Sequence, residues 1–324
     1  MTTWKLNPLV VDISHYNIFD FSLAKGYIDL VIAKCGEMTP GVMEDKQYDQ
    51  TFHVNAAAAK VQGIPFGAYF FLSPDDWIVG QKTGGLPAYK NLTRADNVEY
   101  QLLRKWVANK EICCLALDCE KQFINGVQAN GVIPSTWIIA NLSKMYEHIK
   151  QGQAAKEIPD VPILLYSGEW YANGYCVIGS GAGKTNGMYD WVAGHPEVYI
   201  WSASYPAVVN PPLVTWAQVR EKMILTDTMK PPYLNSATMP LLWQFNAKGG
   251  MKVGTDFVSG KLVYRETDIS ACSVSKEKLY EILKIGVTPE PPVPPEPPVP
   301  PVPSDLEVRV KSLEDKLTKI KAIL

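Results

Sequence analysis

Residues 112–120 read ICCLALDCE, an apolar run that ends in two carboxylates. An apolar run of this length predicts a buried strand. Side chains two positions apart in a strand point to the same face, so Asp118 and Glu120 lie next to each other, with backbones about 6–7 Å apart. The stretch therefore predicts a strand that presents a pair of acids where it ends.

Similar apolar runs recur on both sides of this stretch, and helical patterns separate the early ones. The other strand candidates are residues 9–14, 29–35, 65–71, 161–167, 198–205, 240–245 and 263–270. The helical candidates are residues 48–63, 97–110 and 137–152. Eight strands with intervening helices predict a closed β/α barrel over residues 1–286. The helical pattern fades after residue 167, so we expect an irregular or antiparallel second half, with an insertion at residues 206–240.

The overall composition excludes several classes of protein. The chain has 324 residues, of which 47% are hydrophobic, and a formal net charge of -2. Near-neutral charge without a long basic run argues against nucleic-acid binding, which relies on clustered Lys and Arg. No window approaches 18 uninterrupted apolar residues, so we expect no membrane span. The first residues lack the pattern of a signal peptide, and we therefore expect synthesis and folding in a cytoplasm.

The sequence predicts neither a metal site nor a cofactor. The six cysteines lack the paired spacing with histidine that zinc sites require, so we expect buried thiols. The glycine-rich residues 179–187 do not match the spacing of a phosphate-binding loop, and we interpret them as a flexible loop. Ser167 lies outside the Gly-x-Ser-x-Gly motif of nucleophilic hydrolases.

The C-terminal tail contains two further segments. Residues 287–303 include a proline-rich run, which favours an extended linker over a packed core; the alternative is a ligand for a proline-recognition domain. In residues 304–324, apolar side chains recur at alternating spacings of four and three, the pattern of a coiled-coil seam. A lone helix of this length is marginal in water. We therefore expect a homo-oligomer formed through residues 304–324, with a helix docked on the barrel as the alternative.

Polar side chains collect at the predicted strand ends, where the active sites of β/α barrels lie. Two carboxylates at an apolar barrel mouth cannot both ionise freely, because desolvation and repulsion raise the pKa of at least one. A protonated acid beside an ionised one is the pair that cleaves a glycosidic bond. The expected catalytic acids are Glu120, Asp118, Asp12 and Asp268. The expected substrate-binding residues are Lys34, Glu37, Tyr69, Tyr166, Trp201, Tyr205 and Gln244, since aromatic rings suit sugar faces and an amide suits acetamido groups. A chance pair of exposed acids, with rings packed in the core, is the alternative.

Eight motifs resemble, in order along the chain, those of the family 25 glycoside hydrolases: VVDISHY, VIAKCGE, GIPFGAYFF, LALDCE, ILLYSGEWY, IWSASYPA, LLWQF and ETDIS. These are the Chalaropsis-type lysozymes, or N-acetylmuramidases, found as phage endolysins and bacterial autolysins. The resemblance covers most of residues 6–272 and implies a flattened, irregular β/α barrel (TIM-like). It also implies cleavage of the β-1,4 bond between N-acetylmuramic acid and N-acetylglucosamine in peptidoglycan.

The resemblance also implies roles for the acids. Glu120 is expected to be the general acid/base, and Asp118 either orients the substrate acetamido group or serves as nucleophile. Asp12 and Asp268 are expected to line the same acidic cleft. Whether the intermediate is a covalent glycosyl-enzyme or a substrate-derived oxazolinium ion stays open.

Several positions depart from the family pattern. Cys35-Gly36 stands where Ala-Thr is usual, and Phe70 stands where a histidine usually follows the tyrosine of the third strand. Long insertions at about residues 74–97 and 206–240 are expected to reshape the cleft rims. The expected function is a peptidoglycan hydrolase, a phage endolysin that stays in the host cytoplasm until it is released to the cell wall. The alternative is a non-catalytic wall-binding or virion protein built on the same barrel.

Overall fold

The computed structural model divides the chain into two units, Met1–Ile285 and Gly286–Leu324. The structure describes residues 4–38, 48–74, 91–122, 132–206, 213–226, 228–229, 239–246, 251–258, 261–286 and 312–315. In the second unit it describes a helical turn at residues 312–315. The predicted linker and most of the predicted coiled-coil segment lie outside the described residues, so both stay predictions.

Strands occupy the regions that the apolar runs indicate. In chain order they are β1 (Leu9–Ile13), β2 (Leu30–Glu37), β3 (Phe66–Phe71), β4 (Leu115–Asp118), β5 (Ile163–Gly168), β6 (Val177–Ile178), β7 (Thr185–Asn186), β8 (Tyr199–Ala203), β9 (Leu213–Val214), β10 (Leu242–Asn246), β11 (Lys252–Val258), β12 (Lys261–Glu266) and β13 (Asp268–Cys272). Eight of them close into a barrel in the order β1-β13-β10-β8-β5-β4-β3-β2. Neighbouring barrel strands are parallel except where β13 meets β1 and β10. This closed mixed barrel confirms the predicted fold class.

The last predicted strand, residues 263–270, is divided between two sheets. β12 pairs with β11, and β11 pairs with β9, in a separate three-stranded sheet. β13 begins at Asp268 and enters the barrel. Asp268 was expected at the carboxyl end of a strand, but it lies at the amino end of one. Because β13 runs antiparallel to β1, this amino end lies at the same rim as the carboxyl ends of the parallel strands.

Alternation along the strands separates two apolar layers. Leu115 and Leu117 pack in the outer cluster with the helices, whereas Cys114 and Ala116 belong to the inner cluster. The same period of two directs Asp118 inward, as expected for a strand. The barrel is therefore filled by side chains below the level of the acids.

Helices cover the outside of the barrel. They are α1 (Phe21–Ala24), α2 (Phe52–Gln62), α3 (Val98–Val107), α4 (Ser135–Ala154), α5 (Glu169–Tyr175), α6 (Gly187–Gly194), α7 (Val219–Lys222) and α8 (Lys276–Ile282). α2, α3 and α4 lie where the sequence predicts helices, and α2 ends at Gly63 in a left-handed conformation. Among the described residues, no helix combines the length and the apolar character that crossing a membrane requires.

The glycine-rich segment at 179–187, which we interpret from sequence as a flexible loop, contains elements of regular structure. β6 and β7 pair as a short antiparallel hairpin around it. Asn186 then begins α6, because its side chain accepts hydrogen bonds from the backbone N–H groups of Met188 and Tyr189. The N-cap asparagine thus explains where α6 begins after the hairpin.

Tight packing explains the unusual Cys35-Gly36 pair. Cys35 is fully buried in the outer cluster, and the ring of Trp106 lies directly against Gly36. A Cβ atom on Gly36 would lie 2.0 Å from Cζ3 of Trp106. Phe70 also packs near this ring, with centroids 6.1 Å apart, and is fully buried. Gly36 therefore leaves room for the Trp106 ring of α3, and Cys35 and Phe70 are buried core residues.

Arg220, in the described part of the insertion at 206–240, is held near the residues that precede the first two strands. The Arg220 guanidinium donates hydrogen bonds to the backbone oxygens of Lys5 and Asn7, at 2.8 and 2.6 Å. It also pairs with Asp29, just before β2 begins, at 3.3 Å. These contacts fix Arg220 to the start of the first strands, whereas Leu213–Val214 pairs with β11 in the three-stranded sheet. Residues 207–212, 227 and 230–238 lie outside the described residues, so the expected effect of this insertion on the cleft rim stays a prediction.

Candidate active site

A cavity of about 700 Å³ opens at the end of the barrel where the parallel strands end. It is lined by Asp12, Asn17, Tyr69, Phe71, Asp118, Glu120, Gln122, Tyr166, Trp170, Trp201, Tyr205, Gln244, Glu266 and Asp268. Its size lies in the range of small-molecule and oligosaccharide sites. All four expected catalytic acids line it, and so do five of the seven expected binding residues.

Strand register brings the acids together from distant parts of the chain. Asp12 and Asp268 are direct partners across the antiparallel β1–β13 pair. Asp118 is in register with Phe71 on one neighbouring strand and with Tyr166 on the other. Glu120 is half-buried and lies two residues beyond the end of the fourth strand.

Gln244 connects the acid pair to the aromatic side chains. Its amide Nε2 donates a hydrogen bond to Oδ2 of Asp12 at 3.1 Å. Its Oε1 accepts hydrogen bonds from the hydroxyl groups of Tyr166, at 2.6 Å, and Tyr205, at 2.9 Å. Since the two tyrosines determine which way the amide faces, its N–H is held towards Asp12. The buried Gln244 amide is thus held by hydrogen bonds within the site and is not free to turn towards a ligand.

Burial dominates the ionisation of two of the acids. Asp12 is 8% exposed and Asp118 is 6% exposed. Burial and then the Asp268 carboxylate raise the pKa of Asp12 well above its usual value, against the hydrogen bond from Gln244. Burial and then the Glu120 carboxylate raise the pKa of Asp118, and the Lys34 ammonium lowers it. The cavity therefore holds carboxyl groups that keep a proton at pH values where exposed acids have lost theirs.

Asp118 also leaves a hydrogen-bonding atom unsatisfied. Its Oδ1 is buried and has no hydrogen-bond partner among the described residues. A buried oxygen of this kind costs free energy unless a partner arrives. Because Asp118 lines the cavity, a bound ligand can supply that partner.

Glu266 is a further carboxylate in the cavity that the sequence did not indicate. It ends β12 and lies two residues before Asp268. Burial and then the Glu266 charge raise the pKa of Asp268 from 3.8 to about 6. The backbone oxygen of Glu266 accepts a hydrogen bond from the Asn17 side chain, at 3.4 Å. This contact joins the loop after β1 to the same edge of the cavity.

Lys34 and Glu37, expected to bind substrate, are not among the residues that line the cavity. They form an ion pair at 2.5 Å, and the Lys34 ammonium lies 5.1 Å from the centre of the Phe71 ring. Phe71 itself lines the cavity. Lys34 therefore acts on the site through its positive charge, which lowers the pKa of Asp118.

The expected sugar-binding rings differ in how they are presented. Tyr166 and Trp201 are buried, with centroids 4.7 Å apart and edge-to-face geometry. The Trp201 indole donates a hydrogen bond to Ser270 at 2.9 Å. Tyr69 is half-buried, whereas Tyr205 is 43% exposed. Tyr166 and Trp201 thus form the floor, and Tyr205 presents a ring at the mouth.

Five lining residues were missed by sequence reasoning: Asn17, Phe71, Gln122, Trp170 and Glu266. Most of them lie in the loops or short helices that follow the strands, or on a separate sheet, rather than at the strand ends that we inspected. The signal that could have found Trp170 is its position three residues after the YS that ends the fifth apolar run. Among the described residues, no group of three or more His, Cys, Asp or Glu side chains is arranged to hold a metal ion.

Comparisons with known proteins address the fold. No protein-family model matches the sequence, and no curated protein matches it either. The structure is similar to that of a muramidase from Trichobolus zukalii, with 16% identity, 86% of this chain and 99% of that chain covered, and a TM-score of 0.50. Other matches are the bacterial lysozyme from Streptomyces coelicolor (15% identity, 86% and 97% covered, TM-score 0.49) and a family 25 glycosyl hydrolase from Bacillus anthracis (14%, 86% and 94%, 0.49). The similarity to the Trichobolus structure shows a shared fold and confirms the barrel that the sequence resemblance implies.

Proposed function

We propose that this protein is a peptidoglycan hydrolase, an N-acetylmuramidase that cleaves the β-1,4 bond between N-acetylmuramic acid and N-acetylglucosamine. The observation that carries the proposal is the convergence of Asp12, Asp118, Glu120 and Asp268 in one cavity of a barrel. Glycosidic bond cleavage needs a carboxyl group that donates a proton and a carboxylate that stabilises positive charge on the sugar. The motif resemblance and the shared fold support the choice of substrate.

Glu120 is the proposed general acid/base. It lies two residues beyond Asp118 and is half-buried, so it is more accessible to a substrate oxygen than the buried Asp12 and Asp118. Asp118 carries the unsatisfied Oδ1, which suits an acetamido N–H of the substrate. In its ionised form Asp118 also suits attack on the anomeric carbon, while Glu120 protonates the leaving oxygen. The covalent and the substrate-assisted routes therefore both fit this arrangement.

Replacing Glu120 by Gln tests the proposal. The change removes the proton donor and keeps the size of the side chain, so the initial rate of clearing of purified cell walls should fall at least about a hundredfold. Glu147→Gln is the matched control, because this glutamate lies on the exposed side of α4 and outside the cavity. Equal clearing by wild type and Glu120→Gln would refute the role of Glu120.

Analysis of the products tests the bond that is cleaved. Mass spectrometry of digested walls should find muramic acid at the new reducing ends. Reducing-end glucosamine would point to a different glycosidase. Binding to walls without any release of reducing ends would favour the non-catalytic wall-binding alternative. A role as a phage endolysin, kept in the host cytoplasm until release, is part of this proposal.

We also propose that residues 304–324 join several barrels through a coiled-coil seam. The support is the sequence spacing of the apolar residues alone. Linked barrels would gain avidity for a polymeric wall through effective concentration, without new contacts. Light scattering of the full chain should give the mass of an oligomer, and truncation after residue 286 should give that of a monomer with slower lysis of intact cells. A monomeric mass for the full chain would refute self-association.

A further inference from the structure

Trp170 presents an exposed aromatic ring to the cavity. It lies in the first turn of α5, directly after β5, and it is 43% exposed, whereas the adjacent Tyr171 is fully buried. β5 lies between β4 and β8 in the barrel. Trp170 follows β5, Glu120 follows β4 and Tyr205 follows β8. On the rim, Trp170 therefore lies between Glu120 and Tyr205.

The Trp170 indole packs closely against Gly168, which has no side chain to obstruct the ring. A Cβ atom on Gly168 would lie 2.2 Å from Nε1 of Trp170 and 2.5 Å from its Cδ1. Gly168 has φ -103° and ψ 150°, an extended conformation that alanine also adopts. The glycine is thus needed for the close approach of the ring rather than for backbone freedom. On another side the indole packs edge-to-face against Tyr171 and Tyr175, with centroids 5.7 and 6.3 Å away.

The element that carries Trp170 is tied to the chain segment that carries Glu120. Three side chains in and next to α5 donate hydrogen bonds to residues on either side of Glu120. These bonds run from Ser167 Oγ to Cys119 O (2.8 Å), from Tyr171 Oη to Lys121 O (2.8 Å) and from Tyr175 Oη to Gln122 Oε1 (3.1 Å). The ring and the proposed general acid are therefore held at a fixed separation by the same network.

We infer that Trp170 is a stacking platform for a sugar ring, which places the glycan in register with Glu120. A flat ring that is packed on one side and open to a cavity on the other offers an apolar surface to the C–H face of a pyranose. The attachment to the Glu120 segment gives this platform a positioning role as well as a binding role. The inference rests on the proposed function for the identity of the sugar.

Binding in the absence of hydrolysis tests the platform. Solubilised peptidoglycan glycan strands are titrated calorimetrically into the Glu120→Gln protein, with and without Trp170→Ala. Loss of an exposed aromatic anchor should weaken affinity about tenfold or more, and Trp170→Phe should retain most of the affinity. Tyr27→Ala is the matched control, because Tyr27 is 42% exposed but does not line the cavity.

Gly168→Ala provides a second test that leaves the indole in the protein. The added methyl group should displace the ring and weaken binding about threefold, a loss that should vanish when Trp170 is already alanine. Such non-additivity is expected when two residues act through one contact. A purely structural role of the ring would leave the glycan affinity of the Glu120→Gln protein unchanged in both single variants, and would change kcat rather than raise KM in the otherwise wild-type enzyme.

The outcomes separate this inference from the proposed function. Unchanged affinity when Trp170→Ala is added to the Glu120→Gln protein would overturn the platform. Failure of the wild type to release reducing ends would overturn the muramidase proposal alone. Trp170-dependent binding in that case would still support a glycan platform.

Discussion

Replacing Asp268 by Asn should stabilise the barrel at neutral pH, because the cavity mouth disfavours the ionised carboxylate. Burial and then the Glu266 charge raise the pKa of Asp268 from 3.8 to about 6. The unfolded chain therefore loses this proton at lower pH than the folded chain, and ionisation favours unfolding. Well below pH 3.8 the buried Asp268 carries a proton and costs the wild type no stability. The cost grows as the pH rises from 3.8 to about 6, where the folded protein also loses the proton.

The size of the effect is set by the two pKa values. Their difference, 6 − 3.8 = 2.2, corresponds to about 3 kcal/mol once the folded protein is ionised, at about 1.36 kcal/mol for each pKa unit. The linkage relation gives about 1 kcal/mol at pH 4.5 and about 3 kcal/mol at pH 7.5. The advantage of Asn should thus grow by about 2 kcal/mol across this range, an upper figure because salt and water screen a half-buried group.

Urea denaturation of the wild type and Asp268→Asn at pH 4.5 and pH 7.5 measures this growth directly. Asp160→Asn is the matched control, since it makes the same chemical change at a carboxylate whose side chain is 73% exposed. Glu266→Gln should give a smaller gain than Asp268→Asn, because it removes the neighbouring charge and leaves the burial. An advantage of Asn that is the same at both pH values would refute the reasoning, since burial of an ionisable group cannot act independently of pH.

Three further predictions concern packing and hydrogen bonding. Gly36→Ala should destabilise the barrel by about 1–3 kcal/mol, measured by the urea midpoint, because its Cβ would lie 2.0 Å from the buried Trp106 ring. Asn186→Ala should cost about 1 kcal/mol through loss of the α6 cap, seen as a lower melting temperature; an unchanged value would contradict the cap. Gln244→Ala should slow wall clearing about tenfold to a hundredfold, because it removes the hydrogen bond to Asp12. Clearing at the wild-type rate would show that this hydrogen bond does not contribute to catalysis.

The barrel could be predicted because its strands are apolar on both faces and end in polar residues. The run at 112–120 shows both properties, and the structure places there a strand, Leu115–Asp118, that ends in one acid and is followed by a second, Glu120. The direction of the last strand could not be read in this way, since an apolar period of two is the same for parallel and antiparallel strands. The sequence prediction therefore placed Asp268 at the correct rim of the barrel but at the wrong end of its strand.

The parts of the site that escaped prediction lie mostly on segments outside the barrel strands. Helices α5 and α6 span seven and eight residues, too short to show a clear apolar period. The sequence places Trp170 three residues beyond the fifth apolar run, and its packing on Gly168 and its exposure then identify it as a cavity residue. Glu266 was missed for a different reason: it ends a strand of the separate sheet, and only the ends of the predicted barrel strands were considered.

The apolar floor and the acidic mouth of the barrel depend on each other. Val10, Ala116 and Leu242 lie two residues before Asp12, Asp118 and Gln244, and all three belong to the inner apolar cluster. Period-two alternation places each apolar side chain directly beneath a polar one. The floor contributes to stability by burying apolar area, about 1.5–3 kcal/mol for each large side chain, and it also keeps water from reaching the carboxyl groups from below. The raised pKa values of these acids are thus a consequence of the same packing that closes the barrel, which is why the chain can retain several ionisable groups at its centre.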